Sequence, residues 1–244
     1  MRKFLDPQQL ASREQEVFLI ERYIKSKAIP GTPLQILEAG CGQKWPIDLG
    51  HTKYVLTGID CDAAALEIRK YIQKDIHEAI EGDLCVVRLG ESRFDVIYNS
   101  FVLEHVKDAG TVLENFSRWL KPHGLLIIKI PDPDSVRGFL TRITPHWFHI
   151  FYYKYLLGNP NAGKPGFAPY VTFYHPLVSR NGIYRFCSEK QFSIREECGD
   201  GGYRSYGHGL VYQFTKLLVL TIATLSFGKL TSRYTNLLYI LEKQ

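Results

Sequence analysis

Five short apolar runs, separated by turns and helix-like stretches, decide what this chain can fold into. They span residues 34–38, 54–59, 79–84, 94–98 and 125–130. Between them, residues 62–73 and 109–120 repeat their apolar positions with the period of a helix. The run at 125–130 is apolar at every position except Lys129, which reads as a strand covered on both faces. Strands that alternate with helices and are buried on both sides form a parallel sheet with crossover connections. Two further strand-like runs, 194–198 and 237–241, flank a helix-like stretch at 210–227. The predicted fold class is α/β, a doubly wound and mostly parallel seven-stranded sheet.

The remaining segments divide the chain. Residues 7–26 predict a charged amphipathic helix with Leu10, Val17, Phe18, Ile20 and Ile24 on its apolar side, ended by Pro30-Gly31-Thr32-Pro33. Residues 1–30 are therefore an N-terminal helical cap, 31–131 the ligand-binding core and 188–244 the C-terminal part of the sheet. Between the fifth and sixth strands lies an insertion, 132–187, punctuated by Pro and Gly. Residues 147–186 carry twelve Phe, Tyr and Trp side chains. A long irregular aromatic segment inside an α/β chain predicts a substrate-side lid or pocket.

Composition narrows the setting. The five cysteines, Cys41, Cys61, Cys85, Cys187 and Cys198, are odd in number and form no C-x-x-C pair, which points to buried thiols in a reducing compartment. The first residues contain no apolar core of signal-peptide length, so the expected location is cytoplasmic. The longest mostly apolar stretch, 217–227, is too short for a span of about 20 residues. It predicts a helix covering one sheet face, with peripheral membrane contact through 210–228 as the alternative. Residues 1–100 carry 13 basic and 15 acidic side chains, and residues 101–244 carry 17 and 10. No Lys/Arg run exceeds two, which argues against a nucleic-acid partner.

Two motifs locate the ligand. Ile36-Leu37-Glu38-Ala39-Gly40-Cys41-Gly42 runs a strand into a glycine turn that lets a ligand approach the backbone, and the following helix start would offer free N–H groups. Asp60, ending the next strand, lies 18 residues after Gly42, a spacing suited to a carboxylate that accepts ribose hydroxyls. A dinucleotide turn wants G-x-G-x-x-G, and here Trp45 stands at the last position. Pro46 also shortens any helix there.

Further motifs follow in order: Glu81-Gly82-Asp83-Leu84, Phe94-Asp95-Val96-Ile97-Tyr98-Asn99-Ser100, Val102-Leu103-Glu104-His105-Val106 and Lys121-Pro122-His123-Gly124. With the glycine turn and Asp60, they resemble class I S-adenosylmethionine-dependent methyltransferases of the small-molecule branch, over residues 34–131. The resemblance implies a Rossmann-like fold and S-adenosyl-L-methionine as cofactor. It implies that Glu38, Ala39, Gly40 and Gly42 surround the methionine part, that Asp60 binds the ribose and that Cys61 lies by the adenine. Asp83 would take the adenine amino group, Leu84 would flank the ring, and Asn99 and Ser100 would line the site beneath the sulfonium. One departure is Lys44, where relatives often carry a third glycine.

A methyl sulfonium is already activated, so such an enzyme mainly aligns the acceptor and excludes water. A base helps where the acceptor must lose a proton, and histidine suits neutral pH. His105 follows the fourth predicted strand; His149 and His175 lie in the insertion; His208 sits between two glycines. His146 and His149 have helical spacing, but no Cys or carboxylate cluster completes a metal site, and no metal is expected. The predicted function is methyl transfer to a small molecule, most simply O-methylation of a hydroxyl on an aromatic, apolar or glycosylated metabolite. Two alternatives stand beside it: methylation of a quinone or lipid-anchored precursor at a membrane surface, and a non-catalytic cofactor-binding scaffold. The oligomeric state is not legible.

Overall fold

The computed structural model describes residues 6–164, 167–173, 175–201 and 210–244, with no side chains for 210–212, 214 and 215. Eight strands form one sheet in the order β1-β7-β8-β6-β5-β2-β3-β4. They are β1 (Gln8–Leu10), β2 (Leu34–Ala39), β3 (Tyr54–Asp60), β4 (Glu78–Glu81), β5 (Phe94–Ser100), β6 (Leu120–Pro131), β7 (Phe192–Asp200) and β8 (Asn236–Lys243). Every pairing is parallel except those of β8, which runs antiparallel to both β6 and β7. From β2 the chain steps outward to β3 and β4, then returns to place β5 on the other side of β2. Such a reversal of strand order opens a crevice at the carboxyl ends of β2 and β5, where α/β sheets bind ligands.

All seven predicted strands form, and the eighth is β1. Its residues lie inside the predicted 7–26 helix, which instead starts later as α1 (Arg13–Lys25). Ser12 stops the helix from extending backwards: its hydroxyl accepts the Gln15 N–H, an N-cap. Residues 8–10 are left free to pair with β7, Gln8 opposite Cys198. The insertion, expected to be irregular, contains α4 (Val136–Ile143) and α5 (His146–Phe151), the latter continued by a π turn, Tyr152–Leu156. Helix α6 (Arg180–Glu189) leads into β7. Helix α7 (Leu210–Leu225) falls where its hydropathy predicts. The predicted 62–73 helix is α2 (Ala63–Glu67), capped by the Asp62 carboxylate and prolonged by a π turn, Ile68–Gln73.

Period-two alternation sends side chains to opposite faces of the sheet. Leu37, Ile97, Leu126 and Ile128 meet Val112 and Phe116 of α3 (Ala109–Trp119) and Ile183 and Phe186 of α6. Ile36, Val96, Leu125 and Ile127 meet Ile20 and Ile24 of α1 together with Trp45, Ile47 and Leu49. Each such side chain contributes roughly 1.5–3 kcal/mol when fully buried. Lys129, the charged interruption in β6, is buried, with Nζ 2.5 Å from Glu16 of α1 and 2.9 Å from Asp200 of β7. It ties the N-terminal helix to the sheet.

Candidate functional site

Two surfaces meet at the crevice, one built on β2–β4 and one on the turn after β5. On the first, Gly40 and Gly42 adopt φ of +76° and +51°, which favour glycine. A Cβ on Gly40 would come within 2.2 Å of Val102 Cγ2, so only glycine lets the turn after β5 pack this closely. The Gly40 and Cys41 N–H groups donate to the Ile59 carbonyl. The Asp60 carboxylate joins the two loops: Oδ2 accepts the Gly42 N–H at 2.8 Å and Oδ1 the Asp62 N–H at 2.9 Å. Each oxygen keeps a second lone pair for a ligand hydroxyl.

The helix start expected after Gly42 does not form. Residues 43–49 are irregular, and Trp45, Ile47 and Leu49 are buried instead. Pro46 removes a donor from the first turn, and burial of these apolar side chains against α1 outweighs the helix. The loop backbone is therefore steadied by Asp60 and by a second device.

That device is Arg69, fully buried on the π turn. Its Nη1 donates to the Cys41 carbonyl at 2.7 Å, its Nε lies 2.7 Å from Asp75, and its Nη2 lies 2.8 Å from Glu38. Glu38, which the resemblance assigns to the cofactor's methionine end, thus spends one carboxylate oxygen on a guanidinium beneath the loop. Burial pushes the Glu38 carboxyl up, and the Arg69 charge pulls it back down. The same two carboxylates hold Arg69 above its ordinary value. Arginine stays charged at any working pH, and even with that pull the Glu38 carboxyl stays raised, to about 8.

The other predicted cofactor residues ring the same strand ends. Cys61 Sγ donates to the Gly82 carbonyl at 3.3 Å. Asp83 is exposed, and its Oδ1 accepts the Cys85 N–H at 2.8 Å. Leu84 is buried, with its carbonyl 2.8 Å from Asn115 Nδ2. Asn99 is fully buried: Nδ2 donates to the Ala39 carbonyl at 2.8 Å, while Oδ1 has no protein partner. Ser100 ends β5 and is half-buried beside the Tyr98 hydroxyl. A glycine cradle, a carboxylate at the rim and an orphaned buried amide oxygen fit a nucleoside-bearing ligand.

The second surface starts three residues past the end of β5. Leu103–His105 forms a single 3₁₀ turn, and residues 167–173 of the insertion lie on it. His105 Nδ1 stands 2.8 Å from the Val171 carbonyl, and the Phe173 N–H donates to the Glu104 carbonyl at 2.6 Å. A carbonyl only accepts, so Nδ1 carries the His105 proton and Nε2 the lone pair. Burial lowers the His105 pKa, which favours this neutral form. The Tyr170 ring lies 5.6 Å from the His105 ring, and burial, with the charges of Asp62 and Asp60, raises the pKa of its hydroxyl. Beneath residues 167–173 a cavity of about 200 Å³ is lined by Glu104, His105, Pro131, Arg137, Thr172 and Phe173, among others.

The three candidate histidines are not brought together. His149 Nε2 is 2.8 Å from the Thr144 hydroxyl on the outer helices of the insertion. His175 accepts the Leu177 N–H at 3.2 Å and stands over the start of α3 near Gly110. Neither lines the cavity, and His208 lies outside the described residues. Sequence reasoning missed Arg69 and Glu104. Arg69 had a signal: it follows Ala65 and Leu66 at helical spacing on a buried face. Glu104 was quoted within a motif but given no role.

The reversed strand order, the glycine turn and the acidic end of β3 together define a class I methyltransferase fold. Residues 37–128 match a family model described as a methyltransferase domain. A Mycolicibacterium smegmatis protein named "Probable S-adenosylmethionine-dependent methyltransferase" is 31% identical over 100 residues, covering 40% of this chain and 38% of that one. The demethylmenaquinone methyltransferase of Staphylococcus saprophyticus is 33% identical over 98 residues, covering 37% of this chain and 42% of its own. This chain therefore spans about two fifths of the length of these curated relatives. A solved S-adenosylmethionine dependent methyltransferase from Mesorhizobium loti shares the fold with a TM-score of 0.55 and 14% identity, covering 91% of this chain and 96% of its own. Among the described residues, no helix is long and apolar enough to cross a membrane, and no group of three or more His, Cys, Asp or Glu is arranged to hold a metal.

Proposed function

We propose that this protein transfers a methyl group from S-adenosylmethionine to a hydroxyl oxygen of a small acceptor. The observation that supports the reading is the direct packing on the glycine turn, at Gly40, of Val102, which lies two residues before Glu104 of the cavity. The cofactor supplies an activated methyl group on its sulfonium. Asp60 would accept the ribose hydroxyls with the lone pairs its loop contacts leave open. Asp83, Cys61 and Leu84 would hold the adenine, and Asn99 Oδ1 would accept a donor from the methionine end. Residues 167–173 would exclude water over the join, and alignment of the two reactants supplies much of the rate. Of the three histidines, His105 is the one assigned to the acceptor side. The test is calorimetric titration of S-adenosylhomocysteine into the wild type and Asp60→Ala. Clear wild-type binding, weakened roughly ten- to a hundred-fold in the variant, supports the reading. No binding to the folded wild type sinks it.

A second reading, a lipid-anchored acceptor at a membrane surface, is favoured by apolar side chains exposed on two elements. Leu217, Leu218, Leu220 and Leu225 are exposed on α7 with Phe227 just beyond it, as are Trp147, Phe151 and Tyr155 on α5 and its extension. The demethylmenaquinone relative supports the same idea. Co-sedimentation with anionic vesicles would support it, and a chain left wholly in the supernatant would exclude it.

A further inference from the structure

Glu104 is about 95% buried, and its Oε2 has no hydrogen-bond partner among the described residues. An unpaired buried carboxyl costs stability, and folded chains avoid it unless something else uses the group. Its other oxygen, Oε1, lies 4.0 Å from His105 Nε2, too far for a hydrogen bond. The side chain lines the cavity of about 200 Å³, whose other lining groups include Pro131, Phe173 and Val178. Engineered apolar cavities of about 150 Å³ bind benzene, so this pocket, which opens to solvent, has room for a single substituted ring.

We infer that Glu104 is the polar anchor of an acceptor pocket for one hydroxylated ring, its Oε2 accepting the hydroxyl's hydrogen bond and then its proton. The inference rests on the proposed methyl transfer and names the acceptor's head group. The balance is simple. The acceptor oxygen bonds to the methyl carbon as the carbon–sulfur bond breaks, and that electron pair leaves on sulfur. The hydroxyl proton moves to the Glu104 carboxylate, so the sulfonium charge and the carboxylate charge disappear together. His105 is a positioning residue here: its Nδ1–H bond to Val171 holds residues 167–173 over the pocket.

The electrostatics agree. Burial pushes the Glu104 carboxyl up to about 8, a value suited to a base working near neutral pH. The other titratable side chains lining the cavity are His105, from the same turn, and Arg137, from α4; the insertion contributes Thr172 and Phe173, which do not titrate.

The test titrates p-cresol into the whole protein, with and without saturating S-adenosylhomocysteine, for the wild type, Glu104→Gln and Glu104→Met. The expected result is wild-type binding, weakened at least tenfold in Glu104→Met and less in Glu104→Gln, whose amide oxygen still accepts. Wild-type affinity should rise between pH 6.5 and 8.5, because a charged acceptor makes the stronger hydrogen bond. Glu104→Gln should show no such rise. Equal binding by wild type and Glu104→Met overturns the inference, as does failure of the wild type to bind p-cresol. Tighter binding of 4-methylbenzylamine than of p-cresol would overturn the hydroxyl assignment in favour of an ammonium acceptor. A melting temperature of Glu104→Met well below wild type would show that Glu104 holds the fold together, and would also overturn it. Loss of S-adenosylhomocysteine binding with p-cresol binding intact would instead condemn the methyl-transfer reading.

Discussion

Glu38 and Glu104 are both buried carboxyls at the carboxyl ends of neighbouring strands, and they are treated in opposite ways. Glu38, next to last in β2, lies beneath the glycine loop and has the Arg69 guanidinium 2.8 Å away. Glu104 follows β5 and faces a cavity with Oε2 unpartnered. On the glycine-loop side of the crevice Glu38 is committed to Arg69, while Asp60 joins the loops and keeps lone pairs open. On the side of the turn after β5, the Glu104 carboxyl has no cation to oppose its burial. A closed ion pair stiffens a site, whereas an open carboxyl destabilises the fold until a ligand completes it.

The largest expected effect comes from breaking the closed pair. Arg69→Met leaves Glu38 buried without its cation and frees the Cys41 carbonyl, and it should destabilise the protein by about 3–5 kcal/mol in urea unfolding. A loss below about 1 kcal/mol would show that Glu38 reaches water, and the contrast with Glu104 would collapse. Next comes Asp60, a third carboxylate, which both joins the loops and stays open to a ligand. Asp60→Ala should cost roughly 1.5–3 kcal/mol of S-adenosylhomocysteine affinity by calorimetry. Unchanged affinity would make it a loop clamp only.

Glu104→Met should move stability the other way, raising it by about 1–3 kcal/mol at pH 8.5. The sign follows from its folded pKa near 8, against 4.5 for the ordinary carboxyl. The folded state keeps the proton that the unfolded chain has already released, so the wild type loses stability as pH rises between those values. The gap between variant and wild type should therefore be small at pH 5 and grow towards pH 8.5; a gap independent of pH would remove Glu104 from the buried acids. The smallest effect is expected at the surface pair Arg185–Glu189, 3.8 Å apart with both side chains more than half exposed. Replacing both by Ala should change stability by less than about 0.5 kcal/mol, the ordinary worth of such a pair. Set against Arg69→Met, it measures how far burial alone magnifies a charge pair.

Much of this was legible before the structure. The strand runs, the glycine turn, Asp60 and the order of motifs are local patterns, and local patterns survive translation into a fold. The misses share a cause. Residues 8–10 became a strand because β7 offered a free edge, and no pattern near them records that. The loop after Gly42 stayed irregular because Trp45, Ile47 and Leu49 found a cleft against α1. The histidines of the insertion are a different case: the structure gives His149 and His175 partners outside the cavity. Glu104, beside the histidine that does line it, had no local mark of burial.

The sequence by itself determined the α/β alternation, the seven principal strands and the placement of a glycine turn between β2 and β3. Period, apolar runs and glycine positions act over a few residues, so they can be read without the fold. Only the tertiary structure decided which charges are spent and which are kept. Arg69 meets the Cys41 carbonyl from 28 positions away, and His105 meets Val171 from 66. Whether a buried carboxyl has a partner is a property of its neighbours in space, and the chain sets those only by closing on itself.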